Sequence, residues 1–262
     1  MPNYMKKKTK NYLHFFLFLY NIIRPIWDLR KTIQAIKHYP KFFNDLLHYK
    51  MMFSAEKIKL IDICPVLEDR TKTTPFDQHY FYQDIWTARK IIDNKTEHHI
   101  DVGSRIDLVG FLSTLTNITS VDIRPLEVKL KNFKSIKGDI LSLPFSDDSV
   151  SSLSCLHVVE HVGLGRYGDA LNPLGTKKAC QELARVLAKG GNLYFSLPVG
   201  KPRLCFNAHR IHAPKQIIKY FNGLKLVEFS GIDDEGNFNE NIKPEDLENQ
   251  YYACGLFWFK KL

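Results

Sequence analysis

Three aspartates in the middle of the chain each stand at the end of an apolar, strand-like run. Asp101 lies in HHIDVGSR, Asp122 in NITSVDI and Asp139 in KSIKGDI. The carboxyl ends of parallel strands meet at one edge of an open sheet, and nucleotides bind where such ends converge. Asp122 lies 21 residues after Asp101. It can accept hydrogen bonds from both hydroxyls of a ribose, or it can simply cap the turn at Pro125. Asp139 can accept the exocyclic amine of an adenine.

The first of these runs ends in a glycine turn at Gly103, and DLVGFLSTL after it has helical spacing. A glycine at a strand-to-helix turn lets a ligand approach the backbone, and the helix N-terminus supplies free N–H groups. The next glycine is Gly110, so the chain lacks the GxGxxG pattern of dinucleotide-binding loops. This absence counts against an NAD-dependent dehydrogenase.

A histidine-rich stretch, HVVEHV, follows the fourth apolar run. His157 is expected at the mouth of that strand, either as a general base for a hydroxyl acceptor or as a hydrogen-bonded framework histidine. With His161 it also matches HxxEH, a zinc-protease signature. We nevertheless predict no metal site, because Gly163 and Gly165 follow at once and no third ligand is evident.

A second pair of histidines, His209 and His212, lies in CFNAHRIHAP, which we predict to be a polar loop after the fifth strand. Both are candidate bases, and Arg210 between them is suited to grip a polar or anionic acceptor. The glycine-rich segment 165–178 is predicted to form a loop over the acceptor pocket. An acidic stretch, 233–235, either shapes that pocket or is a solvated loop.

The elements that must position these residues alternate between helix and strand. HYFYQDIWTARKII predicts a helix before the first strand. QELARVLAKGGNLYFSLP predicts a helix that stops at Gly190-Gly191 and runs into the fifth strand. LKLVEFS and YYACGLFWFKK, near the end of the chain, have the composition of the last two strands.

These motifs, in this order over about residues 97–262, resemble class I S-adenosylmethionine-dependent methyltransferases, and among them a bacterial group associated with glycans and small molecules. The resemblance implies S-adenosylmethionine as the cofactor. It places Asp101 and Gly103 at the methionine end of the cofactor. Ser104-Arg105 stands where the first-motif loop of the family has its second glycine. It implies that Asp122 binds the ribose and that Asp139 and the Ile140 backbone bind the adenine.

The resemblance also implies an α/β fold: a Rossmann-like, doubly wound, seven-stranded sheet, mostly parallel, with an antiparallel last strand inserted between its neighbours. We assign residues 75–262 to this domain. Residues 1–74 are interpreted as a helical N-terminal extension, basic and rich in aromatic residues, that ends in a connector.

The charge of the chain is concentrated in this extension. Residues 1–60 hold 12 Lys/Arg against 3 Asp/Glu, whereas residues 61–262 hold 25 of each. A neutral main domain argues against a nucleic-acid partner, whose phosphates need a basic surface. Five scattered cysteines without a CxxC spacing predict neither a disulfide framework nor a cysteine zinc site, and they indicate a reducing compartment.

The extension itself begins with four lysines between residues 6 and 10, followed by the eleven-residue apolar run LHFFLFLYNII. This run is too short for a membrane span, which needs about 20 residues, and Arg24-Pro25 replaces a signal-peptide cleavage site. Residues 1–50 are expected either to cover an apolar surface of the domain or of a partner subunit, or to lie on an anionic membrane surface. The predicted location is cytoplasmic, with the inner membrane face as the second alternative.

The function expected from these features is methyl transfer (EC 2.1.1.-) to the hydroxyl of a sugar, a glycan intermediate or another small polar acceptor. No NPPY or DPPY tetrapeptide follows the fourth strand, which argues against N-methylation of nucleic acid. The alternative is a catalytically inactive module of the same fold that binds a partner through its N-terminal arm. The oligomeric state is not encoded in any motif.

Overall fold

The structure is a computed structural model that describes residues 16–17, 19–23, 28–52 and 56–262. The chain divides into two units, Met1–Pro75 and Phe76–Leu262. The lysine cluster between residues 6 and 10, the Arg24-Pro25 pair and Ile26 lie outside the described residues.

The first unit contains one long helix, α1 (Leu29–Met51), and a short 3-10 helix at Leu60–Asp62. The Asp28 side chain caps α1 by accepting hydrogen bonds from the backbone N–H groups of Arg30 and Lys31. Leu29, Ile33 and Ile36 recur in α1 at the spacing of one helix face, and all three are exposed. Among the described helices, none combines the length and the apolar composition that a membrane span requires. The membrane contact of residues 1–50 stays a prediction.

The second unit alternates strands and helices in the predicted order. Its elements are α2 (Gln78–Asp93), β1 (His98–Val102), α3 (Ile106–Leu112), β2 (Asn117–Asp122), β3 (Phe133–Lys137), β4 (Val150–Leu156), α4 (Gly175–Val186), β5 (Leu187–Val199), β6 (Arg203–Cys205), β7 (His209–Ile211), α5 (Pro214–Tyr220), β8 (Leu224–Ile232), β9 (Phe238–Asn239), a 3-10 helix (Pro244–Leu247) and β10 (Ala253–Lys261).

Nearly all of these strands form one sheet with the order β3-β2-β1-β4-β5-β10-β8-β9. Strands β3, β2, β1, β4 and β5 are mutually parallel, and β10 lies antiparallel between β5 and β8. The Rossmann-like fold with an inserted antiparallel last strand is therefore confirmed. The two-residue β9 adds an eighth strand at the edge, beside β8. The strand order reverses between β1 and β4, and this is where an open sheet of this kind binds ligands.

Helices cover both faces of this sheet because its central strands are apolar on both sides. One core cluster packs α4 and α5 against it, through residues such as Leu183 and Ile217. The other packs α2 and α3 against it, through residues such as Trp86 and Leu112. Successive residues of β10 alternate between the two clusters, as the period of a strand requires.

Two local predictions are wrong. Helix α4 ends at Val186, and Gly190-Gly191 lies in the first part of β5. There the register with β4 shifts between Val150 and Ser152, so the glycines form an irregularity in the strand and do not stop a helix. The region predicted as a polar loop around His209 is a short hairpin of β6 and β7.

Candidate functional site

A cavity of about 800 Å³ opens where β1, β2 and β4 end. Its volume falls within the range of about 300–1,000 Å³ typical of ligand pockets. The residues that line it come from α2, from these strand ends, from the segment after β4, from the β6–β7 hairpin and from the approach to β10: Asp77, Tyr80, Gly103, Ser104, Arg105, Ile106, Asp122, Arg124, Leu156, His157, Glu160, His161, Arg166, Tyr167, Ala208, His209 and Tyr252. The cavity therefore lies at the reversal point of the sheet.

Gly103 and Asp122 face each other across the ends of β1 and β2. Gly103 has a φ of +70°, and a Cβ atom there would lie 3.1 Å from Val158 and 3.8 Å from Asp122 Oδ2. The missing side chain thus leaves open the space in front of the carboxylate. Asp122 Oδ1 accepts a hydrogen bond from the Arg124 N–H at 2.7 Å. One carboxylate oxygen caps the turn, as the alternative interpretation expected, and the other is directed towards the Gly103 turn.

Asp101 lies beneath this turn and is fully buried. Its Oδ2 accepts a hydrogen bond from the Ser104 N–H at 3.1 Å, and its Oδ1 accepts one from the Ser154 hydroxyl at 2.5 Å. The Ser154 hydroxyl also contacts Nε2 of the buried His99 at 2.8 Å. Burial raises the pKa of Asp101 to about 6, although the Ser104 and Ser154 hydrogen bonds lower it. Asp101 acts on the cavity by holding its glycine turn in shape.

A pH-dependent stability is expected from Asp101. Its pKa is raised from 3.8 to about 6 in the folded state, so the folded protein binds the extra proton between these values. The contribution of Asp101 to the free energy of unfolding is therefore fully present below pH 4. It is lost as the pH rises through 6, by up to about 3 kcal/mol. Urea unfolding of wild type and of Asp101→Asn at pH 4.5, 6 and 7.5 measures this contribution, because every other titration is common to both proteins. A difference between the two proteins that stays constant with pH would contradict the expectation.

The structure does not bring all predicted cofactor residues to the cavity. Gly103, Ser104 and Asp122 line it, and Ser104 Oγ also accepts a hydrogen bond from the Leu156 N–H. Asp139 and Ile140 are absent from the lining. Asp139 is exposed and caps its own turn by accepting a hydrogen bond from the Leu141 N–H.

His157 stands at the end of β4, as predicted, with a left-handed φ of +54°. Its Nδ1 lies 2.9 Å from Glu160 Oε1, and its Nε2 lies 3.3 Å from the Cys254 sulfur. Burial by itself lowers the pKa of His157, but Cys254 and the Glu160 carboxylate raise it well above its ordinary value. Both ring nitrogens therefore have protein partners, which is the arrangement of a framework histidine.

The other two candidate bases are separated by the structure. His209 lines the cavity, and burial lowers its pKa, so its ring is neutral at pH 7. His212 is buried outside the cavity lining, with Nδ1 at 3.3 Å from Gln216 Oε1. No other described residue hydrogen-bonds the Nε2 atom of His212. Of the two, only His209 can reach a molecule in the cavity.

Arg210 does not face the cavity, contrary to the expectation that it grips the acceptor. Its guanidinium donates hydrogen bonds to the carbonyls of Val162 at 2.6 Å and Asn172 at 3.1 Å. Both carbonyls belong to the segment between β4 and α4, on either side of residues 163–171. The cation therefore fastens a loop whose backbone acceptors would otherwise lack partners.

That loop contributes cavity residues that the sequence did not single out. The centroid of the Tyr167 ring lies 4.7 Å from the guanidinium carbon of Arg124 and 5.1 Å from that of Arg166. Such cation–π contacts are stabilising. The loop was predicted to cover the acceptor pocket, and Arg166 and Tyr167 do line the cavity. Their partner Arg124 follows β2, more than 40 residues earlier in the chain, so no local pattern could have linked them.

The acidic stretch after β8 also contributes to the site indirectly. The Asp234 carboxylate accepts hydrogen bonds from the N–H groups of Tyr251 at 2.5 Å and Tyr252 at 2.6 Å. Tyr252 lines the cavity. Of the two interpretations left open for this stretch, the geometry favours the one in which it shapes the site, because Asp234 positions the backbone of a lining residue.

Solved structures with a similar fold were found by comparison. The N-methyltransferase NodS from Bradyrhizobium japonicum, in complex with S-adenosyl-L-homocysteine, has 14% identity and a TM-score of 0.50, and the match covers 72% of this chain and 89% of that one. The [4+2]-cyclase SpnF has 12% identity, coverage of 68% and 81%, and a TM-score of 0.49. The YcgJ protein from Bacillus subtilis has 13% identity, coverage of 68% and 99%, and a TM-score of 0.47. At these identities the likeness shows the fold alone.

The curated proteins contain no match to this chain. A family model described as "Caenorhabditis protein of unknown function, DUF268" matches residues 106–253, which is more than half of the sequence. This description does not support the bacterial, glycan-associated group that we expected. The chain has the Rossmann-like methyltransferase fold and belongs to the family described as Caenorhabditis protein of unknown function, DUF268.

Proposed function

We propose that this protein is an S-adenosylmethionine-dependent methyltransferase. The observation that carries the proposal is the pairing of Gly103 with Asp122 at the reversal point of the sheet, on the wall of a cavity of about 800 Å³. A turn without a side chain and a carboxylate on the next strand end suit a nucleoside ligand. The cofactor, when bound, would supply a methyl group on a reactive sulfonium.

Different residues of the chain would then bind different parts of the cofactor. Asp122 would accept the ribose hydroxyls through Oδ2, while its Oδ1 holds the turn at Arg124. Asp101 would keep the Gly103 turn in shape through the Ser104 N–H. Asp139 and the Ile140 backbone would contact an adenine that extends beyond the residues lining the cavity.

The acceptor side of the cavity would be the region around His209, Arg124 and Arg166. Methyl transfer is an in-line displacement, so the protein mainly has to align donor and acceptor and exclude water. A hydroxyl acceptor also needs a base, and a neutral imidazole at His209 is suited to accept its proton. The two guanidinium groups favour a polar acceptor that carries an anionic group. We therefore propose O-methylation of a small polar molecule such as a sugar or a glycan intermediate.

Calorimetry with S-adenosylhomocysteine tests the cofactor part of this proposal directly. We expect saturable binding to the wild-type protein at one site per chain. A protein that binds neither S-adenosylmethionine nor S-adenosylhomocysteine would contradict the proposal. Binding of the cofactor without turnover on any acceptor would instead support the catalytically inactive module.

Replacement of His209 by alanine is expected to slow methyl transfer by about 10²- to 10⁴-fold, the usual contribution of a general base. Binding of S-adenosylhomocysteine should be unchanged, because the base acts on the acceptor. The measurement is the rate at which S-adenosylhomocysteine is released when the protein is incubated with S-adenosylmethionine and the low-molecular-mass fraction of a cell extract. An unchanged rate in His209→Ala would remove His209 from the proposed mechanism.

A further inference from the structure

Two histidines and one cysteine converge beside the cavity, from three distant parts of the chain. His79 lies in α2, His157 follows β4 and Cys254 lies in β10. One potential ligand atom from each of the three lies within 4.8 Å of the other two. All five cysteines of the chain are free thiols, so Cys254 is available to a metal ion.

The separations within this cluster suit a transition metal ion. The His157 Nε2 and Cys254 Sγ atoms are 3.3 Å apart. Two ligands at about 2.0 Å and 2.3 Å from a tetrahedral zinc ion lie roughly 3.5 Å apart. The His79 ring stacks on the His157 ring, with 5.6 Å between the centroids. Nitrogen and sulfur ligands of this kind are preferred by Zn²⁺ over Mg²⁺ or Ca²⁺.

A buried carboxylate completes the arrangement from the other side of the ring. Glu160 is fully buried, and its Oε1 lies 2.9 Å from the His157 Nδ1 atom. Metal-binding histidines commonly donate their second ring N–H to such a carboxylate, which orients the ring and selects its tautomer. Zinc would displace the protons of His157 Nε2 and of the Cys254 thiol, whose nitrogen and sulfur atoms lie 3.3 Å apart, while the Nδ1–H group stays on Glu160. The second carboxylate oxygen of Glu160 has no hydrogen-bond partner among the described residues.

We propose that His79, His157 and Cys254 form a zinc site in which Glu160 orients His157. The site runs against our expectation of no metal, and it differs from the HxxEH interpretation. His161 is not one of its ligands, because only His79, His157 and Cys254 bring their potential ligand atoms within 4.8 Å of one another among the described residues.

A fourth ligand would come from the cavity. His157 and Tyr252 both line the cavity, and the Tyr252 ring stacks on His79 with 5.3 Å between the centroids. Three protein ligands with one open position are typical of a catalytic zinc ion, which lowers the pKa of the group it binds. If the proposed function holds, that group would be the acceptor hydroxyl. The binding of zinc itself does not depend on that function.

Zinc binding can be measured on the full chain without cofactor or acceptor. After treatment with a chelator, the protein is titrated with Zn²⁺ against a chromophoric competitor. We expect one tight site per chain, weakened about 10- to 100-fold in Glu160→Gln and more strongly in Cys254→Ser and His79→Ala. Cys64→Ser is the matched control, because Cys64 is exposed and belongs to the other unit.

A spectroscopic measurement keeps the test valid if a variant is destabilised. Co²⁺ in the wild-type protein should give a sulfur-to-metal charge-transfer band that Cys64→Ser keeps and Cys254→Ser loses. Circular dichroism checks that each variant is folded, and His79→Ala, in a half-buried position on α2, provides a second folded variant. A wild-type protein that binds zinc no more tightly than these two variants, or a band that persists in Cys254→Ser, overturns the proposal.

Discussion

Replacement of Asp122 by alanine should weaken the binding of S-adenosylhomocysteine by about 100-fold or more. Hydrogen bonds to a charged group contribute about 1.5–3 kcal/mol each, and 1.4 kcal/mol corresponds to a factor of ten. A carboxylate that accepts hydrogen bonds from both ribose hydroxyls therefore accounts for at least a 100-fold difference in affinity. Calorimetric titration of wild type and variant measures the difference.

Two further variants make this result specific. Asp122→Asn keeps an oxygen that can accept the Arg124 N–H but removes the charge, so we expect an affinity between those of wild type and Asp122→Ala. Glu127→Ala removes an exposed carboxylate from the same loop and should bind like wild type. Equal affinity in wild type and Asp122→Ala would mean that Asp122 only caps its turn.

Substitution of Gly163 by alanine should lower the free energy of unfolding by about 3 kcal/mol and disorder the loop that carries Tyr167. Gly163 has a φ of +79°, and a Cβ atom there would lie 2.2 Å from the Asn172 carbonyl oxygen. A left-handed conformation costs a non-glycine residue roughly 1–2 kcal/mol, and overpacking costs about 1–3 kcal/mol. The same carbonyl accepts a hydrogen bond from Arg210, so it has little freedom to move.

Thermal unfolding followed by circular dichroism measures this effect. For a domain of this size, a loss of about 3 kcal/mol lowers the Tm by roughly 6–12 °C. Gly110→Ala is the matched control, because Gly110 lies inside α3 with no atom within 4 Å of the added Cβ. Alanine there should raise stability by about 0.5–1 kcal/mol. Two Gly→Ala changes with the same sign would contradict the structural explanation.

The zinc proposal and the methyl-transfer proposal fail independently of each other. Loss of S-adenosylhomocysteine binding in Asp122→Ala should leave zinc binding intact, because Asp122 ends β2 whereas Cys254 lies in β10, and β1, β4 and β5 stand between these strands in the sheet. Loss of zinc in Cys254→Ser leaves the Gly103 turn intact for the same reason. Zinc binding by Asp122→Ala therefore shows that this variant is folded, and binding of S-adenosylhomocysteine by Cys254→Ser shows the same for that variant.

The order of apolar runs and strand-end residues carried the resemblance that implied the fold, and it indicated that the ends of β1 and β2 lie at one edge of the sheet. Asp101 and Asp122 mark the ends of β1 and β2, and the last apolar run is the antiparallel β10, as its place in the resemblance implied. These features are local: a strand of period two, a helix of period 3.6 and a turn at Gly103 are each encoded within a few neighbouring residues. His157 at the end of β4 follows from the same kind of pattern.

The partners of these residues depend on contacts across the folded chain. Cys254 contacts His157 from 97 positions away, and Arg210 donates hydrogen bonds to two carbonyls of the β4–α4 loop rather than to a ligand. Helix α4 ends at Val186, before the glycine pair, because pairing of Leu187 with β4 competes with continuation of the helix. Periodicity determines which face of an element is buried, whereas the identity of its neighbour is set by packing between distant segments. For that reason the His79–His157–Cys254 cluster and the contacts of Arg124 and Arg166 with Tyr167 depend on the tertiary structure, which brings distant segments of the chain together.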